Sequence, residues 1–325
     1  MPTNGPTDPL GRIYSEWTTE FEANPEMSLQ LMRWVFEDWQ RVTAEPEGVT
    51  YRSTEIGGVP GIAVEPDGAH PTQMLVVLHG GGFALGSSAS HRKLAGHVAK
   101  ACGANAFVAD FRRAPENPYP AQIDDATDVF EALVAKGIAP IDITFVGDSA
   151  GACLSIATTL RLLERERPQP GQVVTISPWL DMENSGSTLV TNDATDFLIT
   201  REGLQGNIDR YLSGGASPTD ALVNPLYADF TGFPRLYITA SDAESLYADA
   251  TRLHERAAAA GVDVTFVGVS GEQHVFPLQA GLHEAADEAI AAIATWYRAG
   301  RVTDASDSTN HASALSGNLK GPRST

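Results

Sequence analysis

A run of β-type residues, Ile143-Thr144-Phe145-Val146, ends in Gly147-Asp148-Ser149-Ala150-Gly151 and leads into an apolar, helix-forming stretch. This segment constrains the fold more than any other. A serine flanked by glycines at a strand-to-helix turn sits where the chain bends too sharply for side chains two positions either side. Its hydroxyl is then lifted clear of the backbone, as a nucleophile requires. Upstream, Met74-Leu75-Val76-Val77-Leu78 ends in His79-Gly80-Gly81-Gly82-Phe83, whose glycines leave backbone N–H groups uncovered and able to meet a developing oxyanion. In a chain of this composition Gly-x-Ser-x-Gly arises by chance about 0.2 times, but His-Gly-Gly-Gly only roughly 0.006 times. The second motif therefore carries the weight, and the order of the two, each at a strand end, reinforces it.

At 325 residues the chain is long enough for one large core. Strands alternate with helices over 51–182 and again over 235–298, the pattern of a mostly parallel sheet covered on both faces. Before it, Leu29, Met32, Val35, Phe36, Trp39 and Val42 recur at helical spacing, so that 1–45 reads as amphipathic helix. The stretch 183–226 is irregular around one helix-like run at 201–212. Residues 301–325 are rich in Ser, Asn, Gly and Thr, and disorder is expected there. The formal net charge of −19 speaks against nucleic acid and anionic membrane surfaces as partners. The N-terminus has neither the basic nor the apolar region of a signal peptide, and no stretch has the ~18 apolar residues of a membrane span. With Cys102 and Cys153 as the only cysteines, a reducing cytoplasm is the expected location.

A serine hydroxyl becomes nucleophilic when an imidazole takes its proton, and the imidazole needs a carboxylate to fix its tautomer. On an elbow of this kind the chain order is serine, acid, histidine. Beyond Ser149, His254 falls inside a helical run and reads as a surface residue. His274 follows the strand-like Val264–Val269 and a turn at Ser270-Gly271, a loop position typical of such sites. It is the expected base. For the acid, the strand-like Arg235–Ala240 delivers both Asp242 and Glu244 into the next loop. Spacing leaves the two open.

Taken together, His79-Gly80-Gly81-Gly82, Phe111-Arg112-Arg113-Ala114-Pro115-Glu116, Gly147–Gly151, Ser177-Pro178-Trp179-Leu180-Asp181 and His274-Val275-Phe276 resemble the motifs of hormone-sensitive-lipase-like microbial carboxylesterases. The likeness covers about residues 25–300. It implies an α/β-hydrolase fold with a helical cap, built from 1–45 and the 183–226 insertion on a catalytic domain of 46–300. It also implies a serine carboxylesterase acting on small or medium uncharged esters, with lactone hydrolysis and metabolite deacetylation open to the same machinery. The family's acid motif departs here: Glu244-Ser245-Leu246-Tyr247-Ala248-Asp249 is its best register, which makes Glu244 the acid beside Ser149 and His274. The resemblance further implies an oxyanion hole from the N–H groups of Gly81, Gly82 and Ala150, with His79 bracing the glycine loop. Arg113, Glu116 and Asp181 are expected in ion pairs or loop anchors, and Phe83 in the substrate-pocket wall. No cofactor, metal, nucleic acid or membrane is implied. A homodimer is one assembly open to it.

Overall fold

The computed structural model describes residues 8–316. Eight strands form one sheet in the order β1-β2-β4-β3-β5-β6-β7-β8. They are β1 (Val49–Ile56), β2 (Val59–Pro66), β3 (His70–Leu78), β4 (Ala104–Ala109), β5 (Ile143–Asp148), β6 (Gln172–Ile176), β7 (Arg235–Ser241) and β8 (Val264–Val269). Only β2 runs antiparallel to its neighbours; β3 to β8 are parallel throughout. The mostly parallel α/β sheet expected from the sequence is therefore present.

Strand periodicity splits the interior into two cores. On β3, Leu75 and Val77 face one side and Val76 and Leu78 the other; on β4, Ala106 and Val108 oppose Phe107 and Ala109. One face is covered by α3 (Ser88–Cys102) and α9 (Glu284–Ser316), the other by α4 (Ala121–Ala135), α5 (Ala150–Glu164) and α8 (Tyr247–Ala259). Central parallel strands buried on both faces become unbroken apolar runs, which accounts for a fully buried β5. Local signals fix the helix ends. In α3, Ser87 and Ser90 form a reciprocal capping box, and Gly103 at φ 71° closes the C-terminus.

The N-terminal region folds as α1 (Pro9–Ala23) and α2 (Leu29–Phe36), followed by a 3-10 turn over Glu37–Val42. Asp8 caps α1 by accepting from the Gly11 amide at 2.8 Å, and Pro9 occupies its first turn. Tyr14, Trp17, Phe36 and Trp39 join the α3/α9 core. Trp17 and Phe36 stack with their centroids 4.7 Å apart. The 183–226 insertion carries the short α6 (Thr188–Thr191) and α7 (Arg201–Tyr211).

Helix α9 extends past Arg301 to Ser316. No glycine or proline falls between Gly300 and Gly317, so nothing local stops the helix. The remaining tail residues lie outside the described ones. Among the described residues no helix is long and apolar enough to cross a membrane.

Candidate active site

Ser149 stands between the last residue of β5 and the first of α5, at φ 52° and ψ −121°. A non-glycine residue there is strained by about 1–3 kcal/mol and persists only where its surroundings hold it. The Ser149 amide donates to Ile176 O at 3.0 Å, and its carbonyl accepts from Trp179 at 3.2 Å. Glycine is required on both sides. A Cβ on Gly147 would strike the Gly151 carbonyl, and one on Gly151 would strike the carbonyls of Leu78 and His79.

The glycine loop lies beside this elbow, joined to it by the Gly80 amide donating to Asp148 Oδ1 at 3.1 Å. Gly81 and Gly82 have φ of 108° and 62°, a left-handed backbone that glycine tolerates. Ala150 opens α5, so its N–H has no acceptor within the helix. His79 is buried, donates from Nδ1 to Gly80 O at 2.8 Å and stacks on Phe111 with centroids 4.2 Å apart. Burial, with the neighbouring His91, lowers its pKa to about 4. It therefore stays neutral and braces the loop.

His274 Nδ1 donates to Glu244 Oε2 at 2.6 Å. The other carboxylate oxygen of Glu244 accepts from the Ser241 amide at 2.8 Å. Both residues are almost wholly buried. Burial pushes the Glu244 carboxyl up despite its bonds to His274 and Ser241. Burial alone would lower His274, but the hydrogen bond and charge of Glu244 outweigh it and the net direction is upward. Among the described residues His274 Nε2 has no hydrogen-bond partner. It is the nitrogen left for a reacting group. Asp242 is turned elsewhere: it accepts from Ser270 Oγ and the Gly271 amide, each at 2.9 Å, bracing the β8 turn at the surface.

Ser149, His274, Gly81 and Gly82 all line one cavity of about 580 Å³. Phe21, Met32, Phe36 and Trp39 close it from the N-terminal region, and Leu198, Ile199 and Leu204 from the insertion. Phe83 does not line it, contrary to expectation. Its backbone is left-handed at φ 61°, and its ring is buried against Tyr211, stacked with centroids 3.8 Å apart. The reversal after the glycines carries this side chain into the core, and Trp179, which touches Phe83, reaches the cavity instead.

The other motif residues act as anchors. Arg113 donates to Gly86 O at 2.6 Å. Glu116 is half-exposed and pairs with Arg33 of α2 at 2.7 Å, a bond that holds its carboxyl down at about 2. Arg33 also donates to the carbonyls of Ala84 and Ala114, tying the N-terminal region to the glycine loop. Asp181 pairs with Arg252 at 2.8 Å. Asp249 accepts from the amides of Leu180 and Asp181, and burial raises it to about 6. His254 lies in α8 as expected, half-buried and stacked on Phe266, and His283 precedes α9, paired with Glu272 at 2.9 Å.

Two residues near the site gave no signal in the sequence. Asp196, buried within the insertion, accepts from the Ser245 amide at 2.7 Å and from the amides of Leu198 and Ile199. It thus joins the Glu244 loop to the cavity wall. Tyr14 donates to the His274 carbonyl at 2.9 Å.

Residues 75–278 match the model of a family described by the alpha/beta hydrolase fold. An esterase of Acinetobacter venetianus is 34% identical over 263 residues, covering 81% of this chain and 86% of its own length. An acetyl-hydrolase of Streptomyces hygroscopicus is 39% identical over 192 residues, spanning 59% of this chain and 64% of that one. The crystal structure of an esterase from the bacterial hormone-sensitive lipase family superposes with a TM-score of 0.85 at 32% identity, over 92% of this chain and 99% of the other.

Proposed function

The chain belongs to the α/β-hydrolase fold family, among its hormone-sensitive-lipase-like esterases, and from that footing we propose that it hydrolyses small and medium carboxylic esters by acyl transfer to Ser149. Ser149 Oγ attacks the ester carbonyl while His274 Nε2 takes its proton. The oxygen that gains the negative charge is received by the N–H groups of Gly81, Gly82 and Ala150, which need no reorganisation as charge develops. The tetrahedral intermediate collapses, His274 returns the proton to the departing alcohol, and the acyl group remains on Ser149. Water then attacks the acyl-enzyme with His274 as base, and the carboxylic acid leaves. Glu244 keeps the proton of neutral His274 on Nδ1 and stabilises the imidazolium.

One observation carries this reading: the buried 2.6 Å bond from His274 to Glu244, with Nε2 unpaired among the described residues and Ser149 lining the same cavity. A largely apolar enclosure of about 580 Å³ suits small and medium acyl chains better than long lipids or peptides. The acetyl-hydrolase relative supports the short end of that range.

The test is a series of para-nitrophenyl esters from acetate to decanoate, run beside a matching anilide. Turnover of the short and medium esters is expected, with decline toward decanoate and little action on the anilide. Inactivity on every ester, or an anilide cleaved as fast as its ester, would contradict the proposal.

A further inference from the structure

Helix α1 does more than wall the cavity. Tyr14, fully buried, donates its phenolic O–H to the backbone carbonyl of His274 at 2.9 Å, and Trp39 Nε1 donates to the same phenolic oxygen at 3.2 Å. One hydroxyl therefore gives and receives a single bond, leaving the pair fully matched. Burial pushes the Tyr14 hydroxyl well above the usual tyrosine range, so it remains a donor at every working pH.

The chain at His274 needs such a hold. Val275, the next residue, is β-branched yet left-handed at φ 56°, a conformation that survives only where neighbours over-determine it. Its amide donates to Ser177 Oγ at 3.0 Å, and the Phe276 amide returns to Gln273 O at 3.0 Å. The carbonyl of His274 itself accepts the bond from Tyr14. Glu244 fixes one nitrogen of the ring, while the main chain decides where the ring starts.

We infer that Tyr14 is a positioning residue for His274: held by Trp39, it sets the main chain under the imidazole and so the aim of Nε2 at Ser149. The inference rests on the catalytic roles proposed above for Ser149 and His274. It makes the N-terminal helix part of the proton-transfer apparatus, through a contact spanning 260 residues of sequence. Helix α1 is also docked independently of this hydroxyl, by the Leu10 amide on Gln279 Oε1 at 3.3 Å and by Thr18 Oγ1 on Phe197 O at 2.7 Å. Removing one oxygen should therefore leave the helix in place.

The test compares Tyr14→Phe with the wild type on para-nitrophenyl butyrate and in its rate of inactivation by a fluorophosphonate. Since small misplacements of a reacting group cost up to about 100-fold, kcat is expected to fall about tenfold or more while KM stays within about twofold. Phosphonylation should slow in proportion. Replacing Tyr14 by para-aminophenylalanine, whose ring amine can still donate to the carbonyl, should restore most of the turnover. Unchanged kcat in folded Tyr14→Phe, a change confined to KM, or a folded amine variant as slow as the phenylalanine one would overturn the inference. Failure of both variants to fold would also overturn it, by making Tyr14 a purely structural residue. Wild-type protein labelled at a serine other than Ser149 would sink the catalytic reading itself. Labelling on Ser149 with Tyr14→Phe undiminished would sink this inference alone.

Discussion

Two carboxylates two residues apart, Asp242 and Glu244, leave the same strand end and meet different surroundings. Glu244 is wholly buried with both oxygens engaged, one on the Ser241 amide and one on His274. Asp242 spends both of its oxygens on the Ser270-Gly271 turn at the surface. Glu244→Gln should therefore lose about 10³–10⁴ in kcat with KM little changed, because the imidazole loses both its tautomer control and its counter-charge. Asp242→Asn should lose about tenfold or less, as expected of an exposed loop charge. Kinetics at saturating short-chain ester, with circular dichroism to confirm folding, would decide it. A dead Asp242→Asn beside an active Glu244→Gln would reverse the assignment. Sequence spacing alone left these two open. Only the motif register favoured Glu244, and its 2.6 Å contact with His274 agrees with that register. Phe83 shows the opposite case. A residue after three glycines can point either way, and its direction depends on a left-handed φ that no periodicity encodes.

At the level of elements, the elbow depends on how closely α5 approaches the end of β3. That approach is set by Gly151, whose missing side chain admits the carbonyls of Leu78 and His79. Gly151→Ala forces this junction apart and should destabilise the fold by about 1–3 kcal/mol or more. Gly186→Ala, where a new Cβ would meet Ala248 and Asp249 only at ordinary contact distance, should stay within about 0.5 kcal/mol of the wild type. Urea denaturation of both would check the contrast, and a Gly151→Ala as stable as the parent would refute it. These local junctions were readable because elbow, glycine loop and strands each draw on neighbours within a few residues. Tyr14 and Asp196 were not. Their partners, His274 and the Ser245 amide, lie 260 and 49 residues away, and what brings them together is the closing of the sheet, not any local pattern.

Across the whole molecule, three distant stretches of chain build one chamber: the sheet carries Ser149 and His274, while α1, α2 and the insertion around α7 supply its apolar walls. Arg33, Asp196 and Tyr14 each cross from those walls to a loop of the site, so wall and site form one bonded unit. Charged groups also reach the chamber, with Glu22, Glu202 and Arg210 lining it beside the apolar side chains. On the proposed function, one serine, out of all those in the chain, is activated at the floor of this chamber. The decisive measurement treats the intact protein with a fluorophosphonate and follows activity, adduct mass and modified peptide together. A single adduct is expected, located on Ser149 and formed in step with the loss of ester hydrolysis, and none on Ser149→Ala, whose turnover should be lower by at least about 10³-fold. An adduct on another serine, or a Ser149→Ala variant that still turns over at near the parent rate, would contradict it.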